Sequence, residues 1–134
     1  MDIYAQNILD RYKTPFFKGR RIDPAMTRLE ANHSCGDTVE IELASGNGKT
    51  ITDYSFTGSG CAISMASADM LGDIVKGMTE EGILGLSKDD VYQILGIEIS
   101  LRRSKCALLP LLAIQNAILT ANGRDVRVWT DYHL

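Results

Sequence analysis

Three cysteines and one aspartate stand in short blocks whose residue types can do chemistry: Cys35-Gly36-Asp37, Gly58-Ser59-Gly60-Cys61-Ala62-Ile63-Ser64 and Lys105-Cys106-Ala107-Leu108-Leu109. The chain has three cysteines in all, and each lies in one of these blocks. An odd number of thiols cannot be consumed within the chain as disulfides, so at least one is free or a ligand. Three thiolates and a carboxylate make up one four-coordinate metal site or one small cluster. Gly36 allows the short loop to turn both Cys35 and Asp37 inward, and Gly58 and Gly60 do similar work before Cys61. Cys61 and Cys106 are both expected at helix starts, where free N–H groups and the helix dipole favour a thiolate. Lys105 adds positive charge beside Cys106. Asp37 is the unusual member. A carboxylate is a harder and more easily exchanged donor than a thiolate toward a soft site. One weak ligand suits a cluster that is handed on, and it suits equally a zinc ion with one displaceable position.

The competing readings are plain. A cysteine can be a small buried hydrophobe, but flanking glycines and helix-start positions argue otherwise here. His33 is either a further ligand or a solvent-facing loop residue. The ammonium of Lys105 has no lone pair to give a metal. Met65, Met70 and Met78 read as core packing.

The elements that must position these blocks are legible from periodicity. Ile3, Tyr4, Ile8, Leu9 and Tyr12 recur at helical spacing over residues 3–12, and Pro15 and Gly19 end that helix. Thr27 to Asn32 reads as an edge strand, and Val39 to Leu43 alternates apolar and acidic residues as a half-buried strand does. A turn at Ser45-Gly46-Asn47-Gly48 leads into an extended segment from Ile51 to Thr57. From Cys61 to Lys76 the period becomes helical, with Ile63, Ala66, Met70 and Ile74 in a stripe and Gly77 just past the end. Ser87 and Asp90 open a short helix closed at Gly96. A last apolar helix is expected from about Leu108 to Leu119, with Pro110 tolerated only in its first turn. The tail from Asn122 to Leu134 reads as peripheral.

The 134 residues fit one domain, 1–134, without repeats or a linker. A net charge of −3 argues against nucleic acid as a partner, although Arg102, Arg103 and Lys105 form a local basic patch. No apolar run suggests a bilayer span and the start Met1-Asp2-Ile3-Tyr4 lacks a signal-peptide pattern, so no membrane partner is expected. The expected location is the cytoplasm or an equivalent reducing compartment, where cysteines serve as ligands or redox groups more often than in disulfides.

With the three blocks in this order the chain resembles the IscU/SufU/NifU-N family of iron–sulfur cluster assembly proteins. The likeness runs from Tyr4 to about Ile118. It is carried by Ile8-Leu9-Asp10-Arg11-Tyr12-Lys13-Thr14-Pro15, Asn32-His33-Ser34-Cys35-Gly36-Asp37, Gly58 to Ser67, and Lys105 to Leu109. The resemblance implies a SufE/NifU-like α+β fold, in which a small antiparallel three-stranded sheet packs against several helices and the cysteines converge at one end. It implies Cys35, Asp37, Cys61 and Cys106 as ligands of a transient [2Fe–2S] cluster, built from Fe²⁺ and sulfur delivered by a cysteine desulfurase and passed to acceptor apo-proteins. It also implies Zn²⁺ in the cluster-free form. Cys106 is the first sulfur acceptor by analogy with IscU, supported by Lys105; in the SufU branch, a zinc-dependent sulfurtransferase, that role falls to Cys35. Lys105 stands where IscU has histidine, which points to SufU, whereas the short interval from Cys61 to Cys106 lacks the SufU insertion. Ile99-Ser100-Leu101-Arg102-Arg103 lacks both prolines of the IscU chaperone motif, which argues against a dedicated Hsp70-type chaperone as partner. The scaffold is the leading expectation and the sulfurtransferase the alternative.

Overall fold

The computed structural model describes residues 2–134; Met1, the first residue of the expected 1–134 domain, lies outside them. Among the described residues are α1 (Ile3–Lys13), β1 (Met26–Asn32), β2 (Asp37–Ser45), β3 (Ile51–Ser59), α2 (Ala62–Val75), α3 (Glu80–Leu84), α4 (Lys88–Leu95) and α5 (Ser104–Ala121), in that order. The strands form one antiparallel sheet ordered β1-β2-β3, which is the α+β architecture expected. Asn32 pairs with Asp37 at one end of the first hairpin, and Thr38 pairs with Ser59 beside it. The β1–β2 turn and the β3–α2 junction are therefore neighbours, although many residues separate them in the chain. Alternation in β2 sends Val39, Ile41 and Leu43 into one core with Tyr54 and Phe56 of β3. The free edge of β3 is covered by residues 17–19, through Gly19 N–H to the Phe56 carbonyl (2.8 Å) and Phe56 N–H to the Phe17 carbonyl (3.3 Å).

Helix α2 departs from the expected stripe. Ile74 is exposed while Ser64, Ser67 and Asp69 are buried, because α1, β3, α4 and α5 surround most of its circumference. Its buried carboxylate is satisfied from α1, where Arg11 Nε donates to Asp69 Oδ2 (2.5 Å) and a second guanidinium nitrogen donates to Asp73 (2.7 Å). Phe17 N–H donates to the other Asp69 oxygen (2.8 Å). Helix α1 is thus held by Ile8 and this ion pair, and Ile3, Tyr4 and Tyr12 of the expected apolar face stay exposed.

Helix α5 begins at Ser104, four residues before the expected start, so Pro110 falls in its second turn and not its first. The ring has no N–H to give the carbonyl four residues back, which belongs to Cys106. Packing overrides that cost, since every residue from Cys106 to Leu119 is buried. Leu101–Ala121 is long and apolar enough to cross a membrane by length and composition, contrary to the expectation that no run reaches that size. Its place inside the fold, with 83% of its apolar window buried, marks it as the core helix.

The tail is anchored and not peripheral. Gln115 and Asn116 are buried polar residues on α5 and require partners. Arg127 N–H donates to Asn116 Oδ1 (2.7 Å), and Asn116 Nδ2 donates to the Arg127 carbonyl (3.1 Å). The Arg127 guanidinium donates to Gln115 Oε1 (2.7 Å) and the Leu84 carbonyl (2.8 Å), and buried Tyr132 donates its hydroxyl to Gln115.

Candidate metal centre

The four ligand candidates come from three breaks in the secondary structure, the β1–β2 turn supplying two of them, and all the breaks fall at one end of the sheet. Cys35 lies in the turn between β1 and β2, and Asp37 is the first residue of β2. The turn is tightened by Cys35 N–H (3.2 Å) and Gly36 N–H (2.9 Å), both donating to the Asn32 carbonyl, with Gly36 at φ +77°. Cys61 caps the N-terminus of α2, and Cys106 sits in the first turn of α5.

The sulfurs of Cys35 and Cys106 and a carboxylate oxygen of Asp37 lie within 4.8 Å of one another. The two sulfurs are 3.7 Å apart. Asp37 is buried, and its Oδ2 has no hydrogen-bond partner. A buried carboxylate oxygen left without a partner is costly unless a cation or donor completes it. A buried carboxylate with one orphaned oxygen, standing beside two sulfurs, fits a thiophilic metal ion.

Cys61 stands outside this group of three. Its backbone N–H donates to Asp37 Oδ1 (3.3 Å), while its sulfur is directed to Ser64 Oγ (3.9 Å). Gly60 makes the approach possible, since a Cβ there would meet Ser64 Oγ at 2.5 Å and Asp37 Oδ1 at 2.9 Å. His33 is exposed on the turn, outside the group. The Lys105 ammonium stands 5.8 Å from the centroid of the Trp129 ring, a cation–π contact.

The three thiols differ in exposure: Cys35 is exposed, Cys61 half-buried and Cys106 buried. Burial pushes the Cys106 thiol well above the ordinary thiol range, and the Asp37 carboxylate, the Cys35 thiol and the charge of Cys61 add to it. Without a metal, the helix-start position of Cys106 is therefore outweighed, and its thiol form is favoured. Two residues that sequence reasoning passed over complete the site. Buried Asn32 donates from Nδ2 to the Cys35 sulfur (3.3 Å) and accepts from Ser34 N–H (3.2 Å), and Ser64 receives the Cys61 sulfur. Asn32 is the last residue of a strand directly before a turn, a position where asparagine commonly holds a loop. That was its one available signal.

Comparisons with known proteins bear on the family and the fold. Residues 3–127 match the NifU-like N terminal domain family. The zinc-dependent sulfurtransferase SufU of Bacillus subtilis is 30% identical over 138 aligned positions, covering 90% of this chain and 92% of that protein. The iron–sulfur cluster assembly scaffold protein IscU of Rickettsia prowazekii is 28% identical, covering 86% and 88%. Among solved structures, a protein described for iron–sulfur cluster assembly in the SUF system of Fervidobacterium islandicum superposes with a TM-score of 0.74 at 26% identity, covering 87% of this chain and 96% of that one. The N-terminal part of a NifU-like protein from Brucella abortus shares the fold, with a TM-score of 0.71 at 21% identity, covering 92% and 96%.

Proposed function

The chain belongs to the NifU-like N-terminal domain family, and from that membership and the site geometry we propose that it is an iron–sulfur cluster assembly scaffold. In this reading a cysteine desulfurase delivers sulfur as a persulfide, Fe²⁺ enters, and a transient [2Fe–2S] cluster forms and leaves for acceptor apo-proteins. The observation that carries it is the grouping of Cys35, Asp37 and Cys106, with one oxygen of the buried Asp37 carboxylate left without a partner. Cys61 is the fourth ligand, brought in when its sulfur leaves Ser64. The protein works in a reducing compartment, where its thiols stay free.

Exposure favours Cys35 as the first sulfur acceptor and Cys106 as the second. A thiol that a large partner must reach cannot begin buried, and the 3.7 Å separation lets sulfur pass inward from Cys35. In the first step the Cys35 sulfur attacks the outer sulfur of the donor persulfide. A new S–S bond forms at Cys35, the donor S–S bond breaks, and the proton goes to the departing donor thiolate.

The second reading, a zinc-dependent sulfurtransferase, is favoured by Lys105 in the place of histidine and by the likeness to SufU. The same residues, Cys35, Asp37 and Cys106 with Cys61, would hold Zn²⁺, which supplies Lewis-acid stabilisation of thiolates. One experiment separates the readings: anaerobic reconstitution with ferrous iron, cysteine and a cysteine desulfurase, followed by visible absorption, circular dichroism and metal analysis. A cluster spectrum that transfers to an apo-ferredoxin supports the scaffold. Stoichiometric zinc, no cluster and faster desulfurase turnover support the sulfurtransferase.

A further inference from the structure

Beside the metal centre, on the outer side of Cys35, lies a cavity of about 510 Å³. Cys35 forms one wall, Leu101 and Arg102 just before α5 with Lys105 in its first turn form a second, and Trp129 and Leu134 of the folded-back tail form a third. None of the side chains lining it is acidic. Arg102 and Lys105 make no ion pair among the described residues. Two cations without an anionic partner favour a negatively charged occupant. The aromatic face of Trp129 and the two leucines offer contact to the aliphatic carbons of such an occupant. The volume is that of a small-molecule site, and the exposed thiol on its wall is a nucleophile for sulfur.

We infer that this cavity binds a low-molecular-weight thiol bearing carboxylates, and that its persulfide exchanges sulfur with Cys35. This inference rests on the reading of Cys35 as a sulfur acceptor, and adds a small-molecule route beside the desulfurase. The step balances without any oxidant. The Cys35 sulfur attacks the outer sulfur of R–S–SH, the new Cys35–S–SH bond forms as the donor S–S bond breaks, and R–SH leaves with the proton. The reverse direction unloads Cys35 onto the same thiol. The carboxylates of R lie against Arg102 and Lys105, which selects anionic over uncharged thiols.

The test uses the full chain and two reagents, glutathione persulfide and the uncharged hydroxyethyl persulfide, with peptide mass spectrometry reading the gain of one sulfur on Cys35. Transfer from glutathione persulfide should saturate with concentration, while transfer from hydroxyethyl persulfide should rise linearly. Arg102→Glu should lower the efficiency for glutathione persulfide about tenfold, the scale of one charge-assisted contact, and leave the uncharged reagent unaffected. Arg102→Lys should restore most of it. Arg102 is exposed, so these substitutions spare the fold. Linear dependence for both reagents, or no effect of Arg102→Glu, overturns the inference. If Arg102→Glu slows only loading by a cysteine desulfurase, the cavity receives a segment of a protein donor and the inference is again overturned. Loading of the wild type by the desulfurase, measured in parallel, separates the two levels. Its failure at Cys35 sinks the acceptor reading itself, whereas its success with unsaturable small persulfides sinks only the cavity.

Discussion

Asp37 concentrates two roles in one side chain. It holds a buried oxygen without a hydrogen-bond partner, and its charge helps keep the Cys106 thiol protonated. Asp37→Ala should give a longer-lived cluster that passes more slowly to an apo-ferredoxin, read as the decay of visible absorption on mixing; an unchanged lifetime would remove Asp37 from the role of labile ligand. The pH dependence follows from the direction of the Cys106 shift. A group whose pKa is raised by folding contributes stability that is present below its unfolded pKa and lost as pH rises toward the folded value. The metal-free protein should therefore lose thermal stability as pH climbs above about 8.5, the ordinary thiol value, and in Asp37→Asn the loss should level off at a lower pH and be smaller in total. Scanning calorimetry across that window checks both. Cys35, Asp37, Cys61 and Cys106 could be singled out in the sequence because sulfur and carboxylate in glycine-flanked blocks are rare chemistry. Asn32 offered only its place at the end of a strand before a turn, since its contact with the Cys35 sulfur exists only once the hairpin turn has closed.

At the scale of elements, the decisive fact is that strand ends and helix starts coincide. Gly60 shows how little room this leaves. Gly60→Ala should weaken zinc binding about ten- to a hundredfold, as loss of a residue supporting a ligand does, because the added methyl meets the Asp37 carboxylate and Ser64. Competition with a chromophoric chelator measures it, and near-native far-ultraviolet circular dichroism should show that the fold survives. The hairpin and helices α1, α2 and α4 were legible because their periodicity and caps are local signals, such as the Ser87–Asp90 capping box. The start of α5 was not. No side chain caps it, and Pro110 suggests a later beginning; only burial on the sheet explains why a helix tolerates proline there. The five-residue α3 was passed over because it is too short to show a period.

For the molecule as a whole, the tail is part of the structure that surrounds the site. Its anchors are polar, Arg127 and Tyr132 meeting Gln115 and Asn116, and polar anchors leave no hydrophobic pattern to read. Arg127→Ala strips partners from Gln115 and the Leu84 carbonyl, so it should cost about 2 kcal/mol in urea unfolding. It should also perturb Trp129 fluorescence, since the tail carries that residue to Lys105. Zinc at a hundredfold excess over its Kd should add about 2.7 kcal/mol, reversed by chelation.

Cys35 and Cys106 are 71 residues apart in the chain. Anything bound by both closes a long loop, and in polymer terms it is a removable cross-link that restricts the unfolded chain. Loading the site therefore tightens the whole molecule, and unloading slackens it. A partner able to sense how readily the chain opens would thereby read whether cargo is aboard, without touching the cargo.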